Sequence, residues 1–181
     1  MNTYKLTLLA ILSALAVAGR YAFTFLPNVQ PVTAIIIIGG LFLGPGMAFV
    51  MAFLITFLSN MLLGMGIWTI WQVIAWGVIG IASGLLGRWI HSLRLSIIVL
   101  FAVFSGYFYG FMISFVTYQF SGHFWPYYIA GLPFDTMHAV GNGIFVIILY
   151  PIFSKLLAKY SNDRFQTYST ANRYRQKEYK R

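Results

Sequence analysis

Asp135, His138 and Asn142 fall at i, i+3 and i+7, so a helix would set a carboxylate, an imidazole and an amide along one stripe. Those groups can accept, donate and orient hydrogen bonds to a small molecule, whereas lipid would leave them unpaired, so the stripe is expected to face the protein interior. Arg20 is the other ionisable group set deep in an apolar run. A charge at mid-bilayer costs about 2.5–3.5 kcal/mol on insertion scales, so Arg20 and Asp135 should face protein, water or each other. Three assignments compete for Arg20: an ion pair with Asp135 clamping the first and last helices, contact with a ligand, or snorkelling to headgroups.

Catalytic readings fare worse. Gly80-Ile81-Ala82-Ser83-Gly84 resembles the Gly-x-Ser-Gly of an intramembrane serine protease, but with one residue too many. Ser83 and His138 would also be offset by about 10 Å along the bundle at 1.5 Å per residue, against the ~3 Å of a serine–histidine hydrogen bond. There is no P-loop and no HExxH, and Asp135, Asp163 and Glu178 are the only acids, which excludes P-loop ATPase, zinc-protease and two-metal chemistry. The absence of cysteine excludes disulfides, iron–sulfur clusters and thiolate metal sites. No metal site and no resident cofactor is expected.

The elements that must position these residues are membrane helices. Hydrophobic residues make up 60% of the 181 and charged residues 8%, too little polar surface to cover a soluble domain. Apolar runs between breakers fall at 4–26, 32–44, 46–63, 70–90, 95–119 and 132–158. Joined across Gly44-Pro45-Gly46, residues 32–63 would make a helix of about 48 Å, far beyond a ~30 Å hydrocarbon core; split there, the first piece is only about 20 Å and must be short, bent or covered. The expected fold is therefore an all-α integral membrane protein, a six-transmembrane-helix bundle with both termini cytoplasmic. It comprises one domain over 1–158 and a basic polar cytoplasmic tail over 159–181.

Lys5, the apolar stretch and Ala16-Val17-Ala18 resemble a cleavable signal, but the run continues to Leu26, favouring a retained helix. The net charge of +9 is concentrated in the tail, with Arg164, Arg173, Arg175, Lys177, Lys180 and Arg181 following Lys155 and Lys159. Together with the Arg88/His91/Arg94 turn, this is an orientation signal rather than a nucleic-acid footprint.

That orientation turns 27–31, 64–71 and 120–133 outward. The outward segments and adjoining helix ends hold Asn28 and Gln30; Trp68, Trp71 and Gln72; and His123, Trp125, Tyr127, Tyr128 and Asp135. Part of this is the aromatic belt of any membrane protein. Amides, imidazoles, a carboxylate and rings on one face nevertheless suit a small-molecule pocket. The candidate substrate-binding set is Arg20, Asn28, Gln30, Trp68, Trp71, Gln72, Trp125, Tyr128, Asp135, His138 and Asn142. Two small-residue stripes, Ala10/Ala14/Ala18 and Gly77/Gly80/Gly84/Gly87, mark close helix contacts, the glycines within the chain and the alanines either within it or as an outward docking surface. No internal repeat or matched pair of broken helices points to a self-sufficient secondary transporter.

Taken in order, "ALSALAVAGR", "PNVQPVTAIIIIGGLFLGPG" and "WTIWQVIAWGVIGIASGLLGR" resemble the substrate-binding S component of energy-coupling factor (ECF) vitamin transporters, over about residues 5–158. The resemblance implies a bacterial, multi-pass cell-membrane protein that captures a vitamin from outside. A separate transmembrane coupling protein and two cytoplasmic ABC-type ATPases would supply the work. It further implies that the protein topples within the bilayer and docks on the coupling protein through Ala10, Ala14 and Ala18. "PNVQPVTAI" and "WTIWQ" are most similar to the cobalamin branch, while riboflavin or pantothenate would suit nearly the same inventory. A non-transport, partner-binding membrane factor is the rival class.

Overall fold

The structure, a computed structural model, describes residues 3–89 and 94–178, without the side chains of Trp89 and of 157–178. Its elements are α1 (Thr3–Ala22), α2 (Val32–Leu43), α3 (Pro45–Leu63), α4 (Trp68–Trp89), α5 (Leu95–Ser121) and α6 (Phe124–Glu178). Among the described residues every regular element is helical, as expected. Five of the helices are long and apolar enough to cross a membrane.

The exception is α2. Pro31 precedes its first turn, and the chain turns sharply at Gly44, whose φ of 91° suits glycine, before Pro45 opens α3 at a position where its missing N–H costs nothing. Between these stops lie 12 residues, about 18 Å of helix. Residues 32–40 and Leu43 are buried, and α2 touches each of the other five helices. A helix apolar on all sides is satisfied only when enclosed on all sides. Of the six expected spans, five are thus helices long and apolar enough to cross a membrane, and the sixth, α2, is short and enclosed by the others.

The glycine stripe of α4 makes that enclosure possible. A Cβ at Gly84 would overlap the Pro45 backbone, and one at Gly87 would come within 2.5 Å of the Leu41 carbonyl oxygen. The α2–α3 corner therefore lies directly on α4, which is intramolecular packing. On α1, Leu9, Leu12, Ser13 and Ala16 face inward, while Ala10, Ala14 and Ala18 are exposed.

Two connections are shorter than the sequence implied. Helix α4 begins at Trp68, within the segment read as 64–71, and α6 begins at Phe124, so most of 120–133 is helical. Gly122 alone, left-handed at φ 70°, ends α5. Pro126 then falls in the first turn of α6, where backbone N–H groups have no helical acceptor anyway. Helix α6 also runs through Pro133 and Pro151, and its backbone continues to Glu178 through most of the segment read as a separate tail. His91 and the side chains of the basic tail lie outside the described residues.

Helices α1, α3 and α5 run toward one end of the bundle, and α2, α4 and α6 run back. Near that end Arg20 meets Asn60 of α3, Asn60 meets Thr69 of α4, and Tyr118 of α5 meets Phe124 of α6.

Candidate functional site

Helix α2 starts part-way down the bundle. Its Thr33 lies level with Trp76, about 12 Å along α4 from its first residue. The space above is closed by the connection 23–31, leaving a cavity of about 220 Å³. Residues 23–24 and 26–30 form one side; Arg20 of α1, Leu63 of α3, Gln72 of α4 and Tyr109 of α5 form the rest.

A continuous set of hydrogen bonds ties four helices together around this cavity. Arg20 Nη1 donates to Ser59 Oγ and, at 2.9 Å, to Asn60 Oδ1. Asn60 Nδ2 donates to Thr69 Oγ1 (2.8 Å) and Gln72 Oε1 (2.7 Å), and Gln72 Nε2 donates to the Tyr109 hydroxyl (2.8 Å). Buried polar groups in a membrane persist when satisfied in this way.

Beneath the network lies a column of rings. The Arg20 guanidinium sits 5.1 Å from the Trp76 ring centre; Trp76 stacks on Tyr109 at 4.8 Å and Tyr109 on His138 at 5.0 Å. His138 Nδ1 lies 3.0 Å from the Asn28 carbonyl oxygen, and Nε2 lies 3.0 Å from Thr33 Oγ1. A carbonyl only accepts, so Nδ1 carries the proton in the neutral ring and Nε2 accepts from the Thr33 hydroxyl. That leaves the Thr33 oxygen to accept from Trp76 Nε1 at 3.0 Å. Asn28, at φ 56°, takes a left-handed conformation that asparagine tolerates better than most residues, and its backbone carbonyl meets the imidazole.

The sequence-derived residues separate into three groups. Arg20, Asn28, Gln30 and Gln72 line the cavity, and His138 holds the loop that closes it. Trp71, Tyr128, Asp135 and Asn142 pack between helices. Trp71 stacks on Phe115 and donates to Gln119 Oε1, Tyr128 joins Phe111 and Phe124, and Asn142 Nδ2 donates to the Ala102 carbonyl. Trp68 and Trp125 are 43% and 65% exposed on the outside of the bundle.

The expected stripe of Asp135, His138 and Asn142 does face inward, since all three are buried. The alternative of an Arg20–Asp135 ion pair is not formed. Arg20 turns to α3 and Trp76, whereas the Asp135 carboxylate is pressed against the Cα of Gly110, its Oδ2 without a hydrogen-bond partner among the described residues. Ser83 bonds the Gly80 carbonyl and has no part in a serine–histidine pair.

Sequence reasoning passed over Ser59, Asn60, Thr69, Thr33, Trp76 and Tyr109. Ser59-Asn60 carried a usable signal, because a polar pair inside the apolar run of α3 needs partners. Tyr109 carried none, being one of 12 tyrosines with ordinary neighbours. Among the described residues no three histidine or acidic side chains converge as metal ligands.

A family model for the substrate-specific component of ECF transporters matches residues 4–161. No curated protein and no solved structure matches the chain.

Proposed function

Because the chain belongs to the substrate-specific components of ECF transporters, we propose that the cavity beneath residues 23–31 captures a vitamin at the outer face of a bacterial cell membrane. The observation that carries this reading is the cavity itself, a polar-walled recess above a plugged bundle, closed by a loop attached through one carbonyl to His138. Orientation is supported by charge. Lys5, Arg88, Arg94 and Lys155 belong to the opposite end of the bundle, the cytoplasmic one on the positive-inside rule, with both termini there.

Cobalamin is the first candidate. Asn28, Gln30 and Gln72 offer amide donors and acceptors to a ligand rich in amide side chains. At about 220 Å³ the recess would seat one part of that ligand, with the bulk lying above a displaced loop. The same volume supports a second reading, a smaller vitamin such as pantothenate or riboflavin, since sites that enclose drug-sized ligands run from about 300 Å³ upward.

In either case the vitamin is cargo, and hydrolysis of ATP belongs to two partner ATPases joined through a transmembrane coupling protein. The exposed Ala10, Ala14 and Ala18 face of α1 is the proposed docking surface, because small side chains permit close helix approach.

Equilibrium binding of cobalamin, riboflavin and pantothenate to the purified protein tests capture; silence toward a full vitamin panel would sink it. Ala14→Trp is expected to abolish uptake and co-purification with the ATPases while leaving binding intact. Vitamin-dependent growth restored by this chain only alongside the coupling module would separate transport from a partner-binding role.

A further inference from the structure

Arg20 brings a positive charge to the cavity wall that the protein does not neutralise. Its Nη1 is held by two neutral side chains, Ser59 and Asn60, while Nε and Nη2 have no hydrogen-bond partner among the described residues. Among the described residues no aspartate or glutamate lines the cavity. Of the three acids in the chain, Asp135 packs on Gly110, and Asp163 and Glu178 lie far along α6. Much of the remaining wall is apolar, with Phe23, Leu26, Val29 and Leu63.

The guanidinium is also fixed in place. Trp76 lies against it and Nη1 is anchored, so the remaining N–H groups are held ready for a ligand. A planar guanidinium presented this way matches the two oxygens of a carboxylate or phosphate, and such bonds are about twice as strong as neutral ones. A second donor is at hand. The Tyr109 oxygen accepts from Gln72 Nε2, which leaves its own O–H free to donate at the same cavity wall.

We infer that the cavity binds its ligand through an anionic group, a carboxylate or a phosphate ester, seated on the free edge of Arg20 with the Tyr109 hydroxyl as second donor. This rests on the vitamin-capture reading and narrows it by chemistry. Pantothenate would be held by its carboxylate and cobalamin by its phosphodiester; an uncharged riboflavin would leave the arginine without a counter-charge.

The test uses three pairs in which only one member carries the anion: pantothenate and panthenol, flavin mononucleotide and riboflavin, and cobalamin and cobinamide, the last of which lacks the ribose and base along with the phosphodiester. Each is titrated calorimetrically into the purified full chain. In the pair that binds, the anionic member is expected to be about 100-fold tighter, the scale of one or two charge-assisted hydrogen bonds. The first pair reports a carboxylate and the other two a phosphate. Arg20→Gln should lower the anionic member to the level of its neutral counterpart, and Arg20→Lys should keep part of the preference. A neutral member that binds wild type as tightly as its partner overturns the inference while leaving vitamin capture standing, and needs no variant to fold. Binding of none of the six, with binding of another vitamin that carries no anion, overturns the inference and leaves vitamin capture standing; silence toward the full vitamin panel overturns both.

Discussion

The rings of Trp76, Tyr109 and His138 and those of Phe111, Phe115, Phe124 and Tyr128 belong to the same half of the bundle, yet they are built on different terms. Every polar atom of the first column is engaged: Trp76 Nε1 and His138 Nε2 with Thr33, His138 Nδ1 with Asn28, and the Tyr109 hydroxyl with Gln72. The second group meets mainly edge to face, as Phe111 does with Phe115, Phe124 and Tyr128. It welds the start of α6 to the end of α5. Aromatic density is thus shared by both regions, and hydrogen bonding is what marks the cavity's floor.

The sharpest way to break this comparison is to truncate one indole from each region. Trp76→Ala removes a fully buried ring together with its bond to Thr33 and its contact with Arg20. It is expected to cost on the order of 3 kcal/mol in thermal or denaturant unfolding in detergent, with loss of vitamin binding. Next in size is His138→Ala, which leaves the Thr33 hydroxyl and the Asn28 carbonyl without their partner. About 1–3 kcal/mol of stability should go, and faster ligand dissociation should follow as residues 23–31 come loose. Unchanged dissociation would show that the loop is held by other contacts.

Tyr109→Phe is a finer cut. It keeps the stacking on Trp76 and His138 but removes the hydroxyl that Gln72 bonds, for an expected loss of about 1 kcal/mol, or roughly fivefold in ligand affinity. Least affected should be Trp125→Ala, whose ring is 65% exposed, with a change within about 0.5 kcal/mol and unaltered binding. A large loss of binding there would move the site to the aromatic group at the start of α6.

These two regions also explain what could be read before folding. The helices, the break at Gly44-Pro45-Gly46 and the inward stripe of α6 follow from hydropathy, backbone stereochemistry and spacing, all local properties. Arg20, Asn28, Gln30 and Gln72 were legible because polar residues near helix ends in an apolar chain are few. Partner choice was not. Whether Arg20 meets Asp135 of α6 or Ser59 and Asn60 of α3 depends on which helices become neighbours, and in this fold α1 packs beside α3. Trp68 and Trp125 lie exposed on the outside of the bundle, and an indole at an interface has the same sequence signature whether it faces a ligand or lipid.

The short, enclosed α2 also bears on electrical insulation. Ile35, Ile36, Ile37 and Ile38, with Met51 and Ile55 of α3, fill the bundle below the recess with hydrocarbon. A hydrated ion following that line would have to shed its water among groups that offer it nothing in return, an expense of tens of kcal/mol in a medium of such low polarity. The polar recess therefore lies on one side of a hydrocarbon layer, and the bundle can hold it without short-circuiting the membrane potential.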